Sequence, residues 1–281
     1  MATGISRWWG NWGCCCNEAS NPCPCACYPF DGNLNDMTGR RDPFTGDPVN
    51  YEQGKIKKAF KISYGNSIQT PHHSCFSLAG GFSAWVWIYH GVDVSTVGSG
   101  GHQIIRKGSG TDTIGAGHKL EWVFATTTKK VNCDASSPDT ILFGVGNTSN
   151  GTVESVLTGP ANHELAVDAG EYPYPYPRNS DCFDPHWTFY FMYYDPDEGS
   201  NGAIYIGVDG TKRWTKRTLF GPVEAGTDPV YIGADVDEQL DSRVDNLGFC
   251  KSIGTETEMK ARSVFLYNGG YGRACPSWKG A

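Results

Sequence analysis

The segment from Trp187 to Gly210 constrains this chain more than any other. Trp187-Thr-Phe-Tyr-Phe-Met-Tyr-Tyr194 is an aromatic run with almost no helix-favouring character. A turn cluster follows, Asp195-Pro-Asp-Glu-Gly-Ser-Asn-Gly202, and then Ala203-Ile-Tyr-Ile-Gly-Val208, closed by Asp209-Gly210. Side chains alternate along a strand, so Ile204, Ile206 and Val208 fall on one face. Two such runs joined by a turn read as a β-hairpin leading into another.

The rest of the chain repeats this pattern. Phe82-Ser-Ala-Trp-Val-Trp-Ile-Tyr89 places Phe82, Ala84, Val86 and Ile88 on one face and Trp85, Trp87 and Tyr89 on the other. Both faces of that strand need cover, which suits a central strand in a layered sandwich. Further short strands are expected at Ala59–Ile62, Gln103–Lys107, Leu120–Phe124, Thr140–Val145 and Val230–Gly233. Glycine, proline, asparagine and aspartate clusters separate them, the spacing of an all-β sandwich. With 281 residues and 36 glycines, the length admits one large sandwich or two small domains. One short helix is expected: Thr255-Glu-Thr-Glu258 has the spacing of a capping box, Met259 and Leu266 share a face, and Asn268-Gly-Gly270 ends it.

Charge and composition exclude several roles. The formal charge of −7 leaves no basic stripe to neutralise phosphates, so nucleic acid is not an expected partner. Lys55-Ile-Lys-Lys58 and Lys212-Arg-Trp-Thr-Lys-Arg217 read as solvated turns or strand edges. No apolar run approaches the ~20 residues that span a bilayer. The first ten residues lack the charged start and apolar stretch of a secretory signal, and Met1 favours the natural start of an unsecreted protein.

Residues 1–27 differ from the rest. Trp8, Trp9 and Trp12 lie on a glycine-rich segment beside six of the eleven cysteines, at Cys14–Cys16, Cys23, Cys25 and Cys27. An odd number cannot pair completely within the chain. The cluster reads first as a disulfide-knotted arm, then as a zinc site, then as free thiols. The arm is expected either to dock on a partner through its tryptophans or to fold back on its own sandwich, which would span residues 28–281.

From residue 28 onward the order of motifs resembles the laminin G-like jelly rolls of the concanavalin A-like lectin superfamily. The resemblance rests on Tyr28-Pro-Phe-Asp-Gly-Asn-Leu-Asn-Asp36, Tyr51-Glu-Gln-Gly-Lys55, Phe82–Ile88, the Trp187 hairpin with Val208-Asp-Gly210, Val230–Gly233 and Ser242-Arg-Val-Asp-Asn-Leu-Gly-Phe249. It implies a two-sheet antiparallel jelly roll that binds glycans or proteins, in some members with a calcium ion near the rim. The cysteine-rich arm and the insertion between about Thr126 and Asp184 depart from that pattern and inherit nothing from it.

The resemblance points to Asp31, Asn33 and Asp245 as oxygen ligands for calcium. The competing reading makes Asp31 and Asn33 an Asx-type turn and Asp245 an acceptor of backbone hydrogen bonds. In Glu171-Tyr-Pro-Tyr-Pro-Tyr-Pro-Arg178, alternating prolines hold an extended backbone. Tyr172, Tyr174 and Tyr176 could there stack on sugar rings or anchor a protein, or else strap onto the sandwich. Trp85, Trp87 and Tyr89 read as second-layer core before they read as a sugar platform.

Catalysis has little support. No strand carries Glu-x-Asp-x-Glu, and Asp235, Asp237, Glu238 and Asp241 look like turn acids. The histidines lack metalloprotease spacing, and no Gly-x-Ser-x-Gly elbow occurs. The expectation is a non-catalytic binding protein on a virion surface, a phage capsid or fibre accessory attached to assembly proteins through its arm. A homo-oligomer is left open. The alternative is a free, extracellular carbohydrate-binding lectin, and the third reading is a divergent glycoside hydrolase.

Overall fold

The computed structural model describes residues 26–46, 49–62, 67–90, 103–109, 119–126, 141–147, 152–157, 186–223, 225–233, 242–251 and 254–272. The first strands are β1 (Ala26–Tyr28), β2 (Tyr51–Gln53), β3 (Lys58–Ile62), β4 (Ile68–Thr70) and β5 (Phe82–His90). Next come β6 (Gln103–Ser109), β7 (Lys119–Thr126), β8 (Ile141–Asn147) and β9 (Thr152–Leu157). The series ends with β10 (His186–Asp195), β11 (Ala203–Val208), β12 (Arg213–Thr218), β13 (Val230–Ile232), β14 (Ser242–Cys250) and the helix α1 (Glu256–Tyr267).

These strands form two antiparallel sheets. The eight-stranded sheet runs β12-β11-β10-β5-β14-β3-β2, with β1 also paired to β14. The six-stranded sheet runs β4-β13-β6-β7-β8-β9. The expected sandwich is thus present, with the Trp187 hairpin as the β10–β11 pair and Met192 opposite Ile206. Phe82, Ala84, Val86 and Ile88 of β5 and Ile204, Ile206 and Val208 of β11 point into the space between the sheets. They meet Ile105, Trp122, Phe124, Phe143 and Val145 from the second sheet in one buried cluster. Alternation along each strand delivers these residues to one face, and face-to-face packing removes that face from water.

One rim of the core contains a buried charge pair. Lys107 and Glu121 are fully buried and in contact. Lys107 Nζ also donates to the Gly226 carbonyl at 2.6 Å. Glu121 Oε1 accepts from Ser77 Oγ at 2.7 Å and from the Leu78 amide at 2.6 Å, while Oε2 accepts from the Gly226 amide at 3.2 Å. Glu121 sits where the β6–β7 register shifts, so a local bulge turns it inward beside Trp122.

β1 pairs along the end of β14 in the eight-stranded sheet. This strand begins at Ala26, so the sheet takes in the last two residues assigned to the arm, and Cys27 and Cys250 are each engaged in a disulfide. Cys27 is therefore unavailable as a zinc thiolate; the other cysteines of the 14–27 cluster lie outside the described residues. The helix forms as its sequence requires. Thr255 Oγ1 accepts from the Glu258 amide, Glu258 Oε2 accepts from the Thr255 amide at 2.8 Å, and Asn268 ends the helix with a left-handed φ of 53°. Among the described residues no helix is long and apolar enough to cross a membrane.

Ile206 is fully buried between the sheets. Ile206→Asp should remove cooperative unfolding at neutral pH, a destabilisation above about 4 kcal/mol, because the new carboxylate has no partner there. Calorimetry or circular-dichroism melting checks it; an unchanged melting temperature would refute this assignment of the inner face.

Candidate functional site

The outer face of the eight-stranded sheet carries the chemistry. Alternation sends Trp85, Trp87 and Tyr89 of β5 outward, beside Phe189, Phe191 and Tyr193 of β10 and Tyr205 of β11. A solvent-facing sheet would be polar here; this one is aromatic and must be covered. The cover has two parts. Tyr267 at the end of α1 stacks on Trp87, with centroids 5.8 Å apart and an angle of 22°. The β2–β3 turn lays Lys55 over the same indole, 4.8 Å from its centroid. Trp87 is thereby core, and its neighbours on the strand lie at the edge of the cover, half-buried.

Three outward tryptophans ring this covered centre. Trp85 lies flat on Gly248, where any β-carbon would collide with the indole. Trp214 of β12 lies in the same way on Gly207, stacked with Phe191 at 6.2 Å and 21°. Trp187 packs at 5.5 Å from Tyr89, whose ring also carries the Arg243 guanidinium at 4.4 Å. Arg243 is held by Glu52 at 2.6 Å, and Glu52 binds Lys61 at 2.6 Å. The Lys61 hydrogen bond first, then the Arg243 charge, hold the Glu52 carboxyl below its ordinary value.

A second group lies where the β10–β11 hairpin approaches the start of α1. Tyr193 and Tyr205 are opposite one another in the ladder and stack at 4.0 Å and 9°. Trp214 leans on both, at 5.9 and 6.3 Å. Lys216 lies 5.5 Å over Tyr205 and Lys260 of α1 lies 5.5 Å over Trp214. Burial, then the charges of Glu256, Asp195 and Glu198, push the Tyr193 hydroxyl well above its ordinary value.

The residues expected to hold calcium are brought to one turn but not into a cage. Asp31 pairs with Lys57 at 3.0 Å and accepts from the Lys58 amide at 3.2 Å. Asn33 is exposed and accepts from the Asn35 amide at 2.9 Å, an Asx turn. Asp245 is fully buried and accepts from the Ile56 amide at 2.7 Å. Among the described residues no group of three or more histidine, cysteine, aspartate or glutamate side chains could hold a metal. The carboxylates of Asp31 and Asp245 hold the β2–β3 turn, one from the segment after β1 and the other from β14. Gly54 is required at that turn, since a β-carbon would meet the Lys58 carbonyl and the Asp245 carboxylate.

Tyr172, Tyr174, Tyr176, Trp8, Trp9 and Trp12 lie outside the described residues. Trp214, Tyr193, Tyr205 and Arg243 were missed as site residues. The signal was present for Trp214: strand alternation puts it on the face of Lys216, within a stretch read only as a charged edge. As a nucleophile, Cys75 is unsuited, being buried with its thiol pushed up to about 12 by that burial.

Comparison with solved structures places the fold. The binding domain of Paraclostridial Mosquitocidal Protein 1 superposes with a TM-score of 0.58 at 11% identity, over 88% of this chain and 51% of that one. The receptor-binding domain of botulinum neurotoxin D gives 0.55 at 13%, over 88% and 52%. The botulinum neurotoxin type G receptor-binding domain gives 0.53 at 12%, over 86% and 51%. The chain thus spans about half the length of each of these structures. No protein-family model and no curated protein sequence matches the chain. At these identities the likeness establishes the β-sandwich fold.

Asp245 supplies a pH test of the turn clamp. Burial first, with a smaller push from Asp31, raises its carboxyl from 3.8 to about 8, against the pull of the Ile56 hydrogen bond. A carboxyl raised on folding favours the native state below its unfolded value, and that contribution is lost as pH rises through the folded one. Stability should therefore fall between about pH 4 and pH 8, and Asp245→Asn, which keeps an acceptor for Ile56, should flatten the slope. Melting temperature against pH measures this; identical profiles for the two proteins would contradict it.

Proposed function

We propose that this chain is a non-catalytic glycan-binding module displayed on the surface of a larger assembly, a phage capsid or fibre being the form we favour. The observation that carries the binding half is Trp85 lying flat on Gly248 at the edge of the covered centre. The glycine lets the indole rest against the sheet, where the side chain stays only partly buried. That is the shape complementary to the apolar face of a sugar ring, with the Arg243–Glu52–Lys61 group and Trp187 on the same sheet face to give polar contacts. The fold shared with structures described as binding and receptor-binding domains supports a binding role in the same sense. Aromatic rings with few rotatable bonds lose little entropy on contact, which suits them as anchors.

The assembly half rests on the sequence of residues 1–27, where three tryptophans on a glycine-rich backbone carry apolar area suited to a partner groove. A free lectin would share the sheet face and differ in having no such partner. A hydrolase would need two carboxylates flanking the bond.

A glycan array, followed by titration of the strongest hit, tests the reading. Trp85→Ala should weaken binding by at least about tenfold with little change in melting temperature. No bound glycan, or hydrolysis of one that a single Asp or Glu substitution abolishes, would reject it. Deleting residues 1–13 should leave a folded domain that no longer joins its particle; aggregation of the truncated monomer would instead assign the arm to the core.

A further inference from the structure

We infer that Tyr193, Tyr205 and Trp214 form a subsite for an uncharged pyranose, lidded by the side chains of Lys216 and Lys260. The inference rests on the glycan-binding reading and locates one contact point within it. Three polar atoms carry it: Tyr193 Oη, Tyr205 Oη and Trp214 Nε1 are buried, and none has a hydrogen-bond partner. Both tyrosines are fully buried. A single buried polar group without a partner is costly, and native structures contain few. Three in one aromatic cluster, on three adjacent strands, mark a place built to meet something polar.

The donor types say what that is. The indole Nε1–H can only donate, so the ligand must present an acceptor to it, whereas a tyrosine hydroxyl both donates and accepts. An ammonium or guanidinium group has no acceptor and cannot satisfy Trp214. The ring faces of Tyr205 and Trp214 already hold the chain's own cations, Lys216 and Lys260. An anionic sugar would meet Asp195, Glu198 and Glu256, the carboxylates around the Tyr193 hydroxyl. A neutral pyranose has what remains: hydroxyls that donate and accept, and a C–H face that lies on an aromatic ring.

Access requires the lysines to move, and their tethers are weak. Lys216 is paired with Glu198, with side-chain exposures of 38% and 32%. Lys260 is paired with Glu256 at 2.7 Å, one helical turn away, with exposures of 41% and 38%. Exposed pairs of this kind contribute little, and the lysine stem is flexible, so swinging both ammonium groups into water costs little. The lids keep the aromatic rings covered until a sugar displaces them.

The test uses the full-length chain, with cellobiose, maltose and lactose titrated as probes by calorimetry and tryptophan fluorescence. The double variant Y193F/Y205F keeps both rings and deletes both hydroxyls. It should melt at or above the wild-type temperature, because two unsatisfied groups are gone, and should bind the recognised disaccharide at least about tenfold more weakly. If the double variant binds as wild type does while Trp85→Ala loses affinity, the subsite is rejected and the glycan-binding reading stands. If wild type binds none of the three probes and no glycan on an array, the reading falls and the subsite with it. A double variant that melts lower than wild type would show the hydroxyls to be structural and would also overturn the inference.

Discussion

The structure depends on a sheet that is apolar on both sides. β5 and β10 place Val86, Ile88, Tyr190 and Met192 toward the second sheet and Trp87, Phe189 and Phe191 away from it, and all of these are buried. An ordinary antiparallel sheet solves half of this problem by facing water on one side. Here the second sheet covers one face, while α1 and the β2–β3 turn cover the other. The helix has a job set by that demand: it brings Met259 and Tyr267 down onto the aromatic layer, and Ser263 Oγ donates to the Gly210 carbonyl at 2.5 Å, fixing it to the end of β11.

A helix of twelve residues is smaller than the sheet it covers. It is about 18 Å long, so the aromatic layer extends past its footprint. Trp85, Trp187 and Trp214 are at that margin and are only partly buried against the aromatic layer. The partly exposed aromatic margin is thus a by-product of incomplete cover, with glycines at 207 and 248 that let two indoles lie flat. The acids near this face are committed elsewhere: Glu52 to two cations, Asp245 to the turn, Glu198 and Glu256 to lysines.

How much of this could be read from the chain follows from what each signal encodes. Strand alternation encodes facing, so the two faces of β5, the β10–β11 hairpin and the inner positions of β11 were legible. The capping box encodes a helix start through local hydrogen bonds and was equally plain. Register is not local. Nothing in Trp85 announces that Gly248, far along the chain, will lie opposite it, and nothing in Asp245 announces the Ile56 amide. Asp31 and Asp245 both serve the β2–β3 turn, and their partners there are backbone amides and Lys57, which no local pattern encodes. Trp214 was hidden by its company, because a run of lysines and arginines reads as an edge whatever sits between them. That edge is real, since β12 is the last strand of its sheet, and charge there guards against pairing with another chain.

The rim holding Lys107 and Glu121 is fixed by buried charge as well as by apolar contact. Removing two charges from water is expensive, and an apolar pair of similar size would usually be at least as stable. What the ions add is direction. Glu121 gathers Ser77 and Leu78 from one loop and Gly226 from another, while Lys251, directly after β14, donates to the Ser77 carbonyl at 2.6 Å and to Ala79. Hydrophobic contacts alone would let these loops slide; hydrogen bonds to buried charges do not, because any slip leaves a charge uncompensated. β1 pairs with the same end of β14, with Ala26 opposite Phe249, two residues before Lys251, so this strand too is set beside the fixed rim.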